Sequence, residues 1–207
     1  MNSARLLRWI FGFSMALLLS APALAGDSRD QIKQTTDRIL SILSDPSFKG
    51  SAKTEERRRE IRKAIDERFD WEEMVQRSLA THWSKRTPEE KREFVGLFKD
   101  LLLRAYINKL EDYSGEKMVY TGETVDDDRA VTKVKIVTSK NKEITLEYRL
   151  MKKGPQWLVY DISIERVSLV NNYRTQFNSI IVRNGYEELV KRLKEKRSLD
   201  DKTEAKT

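Results

Sequence analysis

The chain has 207 residues, with 40 Lys and Arg against 33 Asp and Glu, a formal net charge of +7 and no cysteine. This length suits one domain, which must rely on a hydrophobic core because no disulfide can form. The positive excess is modest and no basic stripe is interleaved with aromatic residues, so the composition gives no indication of nucleic-acid binding.

The first 25 residues have the pattern of a cleavable secretory signal. Arg5 and Arg8 precede an uncharged apolar run from Trp9 to Leu19, and a segment of small residues then ends at Ala25. The run is too short for a transmembrane helix, which needs about 20 residues. We therefore expect residues 1–25 to be removed from an exported protein whose single domain spans residues 26–197.

The residues from about 28 to about 113 are predicted to form the helical half of this domain. Apolar residues recur there with helical spacing, and Asp70 with Glu73 and Thr87 with Glu90 have the spacing of helix N-terminal capping pairs. The last helix of this half carries a wide apolar stripe, which must cover a large apolar surface. Prominent members of the stripe are Phe94, Phe98, Leu102 and Tyr106.

After Gly115 the apolar period changes from helical to alternating. Four strands are predicted at about 117–125, 129–138, 143–151 and 157–167, and the short turns between them favour an antiparallel meander. Alternation gives this sheet one apolar face and one wet face. The apolar face is expected to contain Val134, Ile136, Leu146, Tyr148, Leu150, Tyr160 and Ile162.

Two further helices are predicted at about 171–184 and 186–196, with Gly185 at the break between them. Residues 198–207 are highly charged and lack apolar spacing. They are predicted to form a disordered tail.

Candidate catalytic and metal-binding groups are few. The single histidine, His82, stands beside Trp83 in a helical context, where a packing or surface role is more common than catalysis. Asp161 and Glu165 could form a carboxylate pair on one strand, although pairing with basic neighbours explains them better. The acidic run 126–128 lacks the glycine and distal glutamate of a calcium loop and is interpreted as a turn.

The residues from Trp157 to Phe177 combine strand, turn and helix positions that together resemble the MlaC family, also called the toluene-tolerance auxiliary proteins. Upstream, Asp70-Trp71 and Thr87-Pro88-Glu89 match the helical half of the same family. The resemblance covers nearly all of the expected mature chain. One departure is Arg166, which stands where the family leads us to expect glycine.

The resemblance implies an α+β fold in which a four-stranded antiparallel sheet, of the nuclear-transport-factor-like kind, packs against several helices and encloses an apolar cavity. It also implies a periplasmic carrier of glycerophospholipids rather than an enzyme, with lipid as cargo and no cofactor. The implied partners are an outer-membrane lipoprotein complex and an inner-membrane ABC transporter complex with its substrate-binding subunit, which together maintain outer-membrane lipid asymmetry.

On this interpretation the two apolar surfaces stay apart to hold lipid. The residues then expected to contact lipid are Phe94, Phe98, Leu102, Tyr106, Val134, Ile136, Leu146, Tyr148, Leu150, Tyr160, Ile162, Val167, Leu169 and Tyr173. Two alternatives stay open at this level: a small-molecule enzyme or binder of another apolar ligand on the same kind of sheet, and a structural adaptor without a ligand.

Overall fold

The computed structural model describes residues 27–204, so the predicted signal peptide and residues 205–207 of the predicted tail lie outside the described residues. Within this range, the helices are α1 (Ser28–Ser44), α2 (Thr54–Asp66), α3 (Trp71–Leu79), α4 (Pro88–Glu111), α5 (Leu169–Asn184) and α6 (Tyr186–Glu204). The strands are β1 (Lys117–Asp126), β2 (Arg129–Val137), β3 (Glu143–Lys153), β4 (Gln156–Ile164) and β5 (Val167–Ser168).

The strands form one sheet in the order β1-β2-β3-β4-β5, and every neighbouring pair is antiparallel. The described sheet therefore has five strands, and the prediction of four was wrong. The predicted fourth strand turns at Glu165 and Arg166, whose φ angles are +49° and +67°. Two successive positive φ angles form the tight turn of a two-residue hairpin, so Val167 returns to pair with Ile164 as β5.

An extra residue in β4 changes which side chains face each side of the sheet. Arg149 pairs with Asp161 and the next residue of β3, Leu150, pairs with Val159, so Tyr160 has no partner on β3. This is a β-bulge, and it shifts the alternation of side chains by one position. As a result Trp157 and Val159 share a face with Ile162 and Ile164, whereas Tyr160 projects from the other face.

Helix α1 is fixed along this face of the sheet by polar contacts near its N-terminus. The hydroxyl of Ser28 shares a 2.9 Å hydrogen bond with that of Thr132 in β2. The backbone N–H of Trp157 donates to Gln31 Oε1 at 2.9 Å. Ile32 then packs with Leu150 and its neighbours in a closed core at this end of the sheet.

Helix α4 divides two regions of the interior. Its N-terminal half packs against α3, α5 and α6 in the largest hydrophobic cluster, while Leu103 and Ile107 pack with Ile61 and Ile65 of α2. The helix begins with the predicted capping box, in which Thr87 Oγ1 accepts from the Glu90 N–H and the Glu90 carboxylate accepts from the Thr87 N–H. That prediction is confirmed.

The C-terminal helices differ from their predicted bounds. Helix α5 begins at Leu169, where the side chain of Ser168 caps it by accepting from the N–H of Asn171. Helix α6 continues to Glu204, so residues 198–204 are helical where disorder was predicted. An existing helix can propagate through charged residues without an apolar face, because only its first turn is costly to form.

None of the helices between residues 27 and 204 combines the length and apolar character needed to cross a membrane.

Candidate functional site

An apolar cavity of about 510 Å³ lies between the sheet and helices α1 and α4. This volume is within the usual range of ligand pockets in proteins. Helix α1 contributes Ile32, Ile39, Leu40 and Leu43 to the wall, and the length of helix between Ile32 and Leu43 is about 16 Å at 1.5 Å per residue. One leaflet of a bilayer has a hydrocarbon thickness of about 15 Å, so this stretch of α1 has about the length of a membrane acyl chain.

The sheet side of the wall is made by side chains that would be buried in an ordinary core. Ile136, Ile144, Tyr148 and Ile162 line the cavity and are each only partly buried. Apolar side chains that point inward yet keep accessible surface indicate space between the two layers. The sheet and helices therefore do not close on each other over this part of the interior.

Five polar residues of the wall lie at one end of the cavity, which we call the mouth. It is formed where α4 ends and β1 begins, with Lys109, Asp112, Tyr113, Glu116 and Thr138 in the wall. The Glu116 carboxylate accepts hydrogen bonds from the Ser114 N–H at 2.8 Å and from the Ser114 hydroxyl at 3.0 Å. These backbone and side-chain hydrogen bonds lower the pKa of Glu116, so it stays charged at neutral pH.

Tyr106 and Tyr148 bring hydroxyl groups to the wall outside the mouth. Burial raises the pKa of Tyr148, which lies in the middle of the sheet, well above its ordinary value. Burial also raises the pKa of Tyr106 on α4, whose ring lies 5.1 Å from the ammonium of Lys109. Both phenols are therefore neutral at physiological pH and cannot act there as ionised bases.

Arg68 lies in the wall at the end opposite the mouth, beside the start of β4. Its guanidinium donates to Thr35 Oγ1 at 3.0 Å, to Gln31 Oε1 and to the carbonyl oxygen of Trp157 at 2.9 Å. These bonds connect the segment after α2 to both α1 and β4. Burial lowers the pKa of Arg68 from its ordinary value, although the group remains a cation.

Half of the residues predicted to contact lipid lie in the cavity wall. They come from α4, three strands and the start of α5. The set is Leu102, Tyr106, Ile136, Leu146, Tyr148, Ile162 and Leu169.

Three predicted aromatic contacts lie outside the wall. Phe98 packs edge-to-face against Tyr173 and Phe177, and Phe94 packs against Phe177 and Tyr186. Phe94, Phe98 and Tyr173 are therefore not in the wall of this cavity. Their apolar surface is buried by neighbouring helices instead.

The other four residues predicted to contact lipid also lie outside the cavity wall, for different reasons. Val134 and Leu150 are fully buried and belong to closed packing, and Val167 is 57% exposed on β5. Tyr160 lies against the guanidinium groups of Arg77 and Arg129, on the face that the bulge turns away from the cavity. These four residues are not part of the cavity wall.

The sequence-based prediction missed most of the helical wall. The missed apolar residues are Ile32, Ile39, Leu40 and Leu43 of α1, Ile65 of α2, Phe69, Trp71 and Met74 around the start of α3, and Leu103, Ile107 and Leu110 of α4. A signal existed for α1, because its apolar residues share one face.

The side chains considered for catalysis lie outside the cavity wall, where they make hydrogen bonds to other parts of the fold. His82 Nε2 lies 2.9 Å from the amide oxygen of Asn178. The Asp161 carboxylate is buried and accepts from the Ser168 hydroxyl and the Val170 N–H, while the Glu165 carboxylate accepts from the N–H of Thr145. Between residues 27 and 204, no cluster of His, Asp and Glu is arranged to hold a metal ion.

The protein is an α+β domain in which helices pack against a five-stranded antiparallel sheet, with an apolar pocket between the two layers. A family model described as MlaC protein matches residues 33–195, which is most of the chain. The chain therefore belongs to the MlaC family.

Two known proteins extend this comparison. The toluene tolerance protein ttg2D of Pseudomonas putida is 28% identical over 102 residues, which cover 49% of this chain and 47% of that protein. The chain thus spans about half the length of this curated relative. A phospholipid-binding protein from Ralstonia solanacearum, solved in complex with a phospholipid, is 27% identical, with a TM-score of 0.77 over 85% of this chain and 99% of that structure.

Proposed function

We propose that the chain is a periplasmic carrier that binds a glycerophospholipid in the apolar cavity and moves it between membrane complexes. The observation that carries this proposal is the cavity of about 510 Å³, whose long wall on α1 has the length of an acyl chain. The related protein from Ralstonia solanacearum, which was solved with a phospholipid bound, supports the assignment of the ligand.

The physical reason for a carrier is the cost of exposing acyl chains to water. At about 0.8 kcal/mol per methylene, two chains with about 30 methylenes cost on the order of 20 kcal/mol to expose. A cavity lined by Leu, Ile, Phe and Tyr side chains removes most of this cost for the part of the lipid that it covers. The polar headgroup would remain at the mouth, beside Lys109 and Glu116.

The cavity wall supports binding rather than catalysis. Among the described residues that line it, carboxylates occur only at the mouth, as Asp112 and Glu116, and burial raises the pKa of Tyr106 and Tyr148, which are therefore neutral at physiological pH. A catalytic pair inside the cavity would need an acid and a base in contact. The alternative of an enzyme on a nuclear-transport-factor-like sheet therefore receives no support from the described wall.

Native mass spectrometry of protein purified from cells without detergent tests the ligand. We expect about one diacyl phospholipid per chain, with little headgroup selectivity because burial of the tails supplies most of the binding free energy. The variant Ile162→Glu, which introduces a charge into the wall, serves as the low-occupancy control. Wild-type protein recovered empty under these conditions would contradict the proposal.

Transfer between partners needs a separate test. The family resemblance implies exchange with an outer-membrane lipoprotein complex and with an inner-membrane ABC transporter complex. Contacts between exposed charges weaken beyond a Debye length of about 8 Å at physiological ionic strength, whereas burial of tails does not depend on screening. We expect lipid transfer to the reconstituted inner-membrane complex to slow as salt increases, while lipid retained by the isolated carrier stays constant. Equal transfer at all salt concentrations would argue against electrostatic docking.

A further inference from the structure

Exposed lysines from three parts of the chain meet at the mouth of the cavity. Lys109 lies in the wall near the end of α4, and Lys117 begins β1. Lys140 and Lys142 belong to the turn between β2 and β3, which starts at the wall residue Thr138. All four lysines are exposed, and we call them the mouth lysines.

Backbone hydrogen bonds hold the turn at this edge of the sheet. The N–H of Thr138 donates to the carbonyl oxygen of Lys142 at 3.0 Å, and the N–H of Lys142 donates to Thr138 Oγ1 at 3.1 Å. Lys117 pairs with Val137, the residue before Thr138, in the ladder between β1 and β2. The lysines of the turn therefore stand beside the start of β1, at the entrance to the cavity.

The charges of the mouth lysines are not neutralised within the described part of the chain. No ion pair among residues 27–204 includes any of the four. Two nearby carboxylates have other partners, since Glu111 is paired with two arginines of α2 and Glu143 with Lys135. The carboxylates at the mouth without a described ion pair are Asp112 and Glu116, so the lysines outnumber them.

We infer that the mouth lysines form a docking surface for an anionic lipid bilayer, so that the mouth of the loaded carrier rests on the headgroup layer. This inference goes beyond the proposed function, in which lipid exchange takes place at protein complexes, because here the membrane surface itself is the partner. It concerns exposed charges and does not depend on which lipid the cavity holds.

The residue type at this surface favours a membrane over a protein partner. Lysine is depleted and arginine is enriched at protein interfaces, where the guanidinium forms paired bonds of fixed geometry with carboxylates. At this end of the fold Arg57 and Arg58 both bind Glu111, whereas the mouth lysines have no such partner. A lysine ammonium is a compact charge on a flexible stem, which suits a fluid layer of anionic headgroups. Clusters of this size are attracted to anionic bilayers.

Vesicle flotation tests this surface. Phospholipid-loaded mature protein is mixed with vesicles of phosphatidylcholine alone, or of phosphatidylcholine and phosphatidylglycerol in equal parts. We expect binding to the mixed vesicles only. The double variant Lys140→Gln with Lys142→Gln should weaken this binding about tenfold or more, because the attraction of an anionic surface adds over the lysines near it. Lys85→Gln with Lys196→Gln is the charge-matched control and should weaken it by less than about threefold.

The control lysines have the same character as those of the turn but lie far from the mouth. Both are exposed and have no described ion pair. Lys85 precedes α4, whose 24 residues extend about 36 Å toward the mouth at 1.5 Å per residue. Lys196 lies on α6, where the neighbouring Arg197 pairs with Asp100 in the middle of α4.

The outcomes separate this inference from the proposed function. Equal weakening by the two double variants would show that binding follows net charge and would overturn the inference, and so would equal binding to both kinds of vesicle. If the variant of Lys140 and Lys142 binds vesicles normally but transfers lipid more slowly to the reconstituted inner-membrane complex, the surface docks a protein and the inference fails. In each case, phospholipid recovered with wild-type protein leaves the carrier proposal standing.

Chemical labelling measures the same contact on the unaltered protein. Reductive methylation followed by mass spectrometry reports the accessibility of each lysine with and without mixed vesicles. We expect vesicles to slow the labelling of the mouth lysines relative to that of Lys85 and Lys196. Equal protection of both groups would contradict docking through the mouth.

Discussion

The carboxylate of Asp161 accepts a hydrogen bond from the hydroxyl of Ser168 at 2.6 Å. The same carboxylate accepts from the backbone N–H of Val170 at 3.1 Å, in the first turn of α5. A side chain of β4 thereby fixes the start of the helix that follows the sheet. Asp161 is only 6% exposed, so these bonds are shielded from water.

Asp161→Ala should lower the free energy of unfolding by about 2–3 kcal/mol, because it removes charge-assisted hydrogen bonds and leaves a buried N–H without its acceptor. Urea denaturation followed by circular dichroism measures the change. Glu147→Ala is the matched control, since Glu147 has only a 3.9 Å contact with Lys133 and should cost less than about 1 kcal/mol. Similar losses in both variants would show that Asp161 has no special structural role.

A charge on each side of the bulge should have opposite consequences for ligand binding. Ile162→Glu places a carboxylate in the cavity and should reduce phospholipid occupancy at least tenfold, because a charge in an apolar wall is costly to desolvate. Tyr160→Glu places the same group near Arg77 and Arg129 and should retain most of the lipid. Native mass spectrometry measures occupancy, after circular dichroism has established that both variants fold. If Tyr160→Glu were emptied as fully as Ile162→Glu, Tyr160 would face the ligand.

Arg166→Gly should stabilise the protein by about 1 kcal/mol, because a residue with a Cβ pays that much or more for the left-handed conformation. The φ angle of Arg166 is +67°, in the turn between β4 and β5. Arg166→Ala keeps the Cβ and removes the charge, so its urea midpoint should stay near the wild-type value. An equal gain in both variants would assign the effect to the arginine side chain rather than to the backbone.

The ion pairs of Glu111 should make stability depend on pH. Burial by itself would raise the pKa of Glu111, but hydrogen bonds and charge from Arg58 and Arg57 outweigh it and lower the pKa. Because the folded pKa lies below the unfolded value of about 4.3, the contribution is complete above that pH and is lost as the pH falls through the folded pKa. Glu111→Gln should therefore cost about 1–2 kcal/mol at pH 7 and much less near pH 3.

Urea denaturation at both pH values tests this dependence. Glu195→Gln is the control, because its 3.9 Å pair with Lys191 is exposed and should contribute less than about 0.5 kcal/mol. A cost for Glu111→Gln that is the same at pH 3 and pH 7 would rule out ionisation as its source.

Sequence patterns correctly predicted those structural features that depend on residues close together in the chain. The capping box at Thr87 could be predicted because its partners lie three residues apart, and the antiparallel order of strands followed from short turns. The bulge at Tyr160 could not be predicted in this way. One unpaired residue leaves the composition of β4 unchanged, yet it moves Tyr160 to the opposite face.

The cavity presents a different difficulty, since an apolar stripe looks the same whether it covers a ligand or another helix. On α4, Phe94 and Phe98 pack against α5 and α6, while Leu102 and Tyr106 further along the same helix line the cavity. All four fit one helical pattern. Only the positions of α5 and α6, which are set by contacts distant in sequence, determine where packing ends and open space begins.

The bulge places two kinds of packing on one face of β4. Trp157 and Val159 belong to the closed core, and Ile162 and Ile164 line the cavity, although all four project from that face. Ile162 also packs against the closed core, so a substitution there changes the core and the cavity together. Ile164 lines the cavity without belonging to that core, so a descendant of this chain could alter its ligand most readily at Ile164 while keeping the same folded framework.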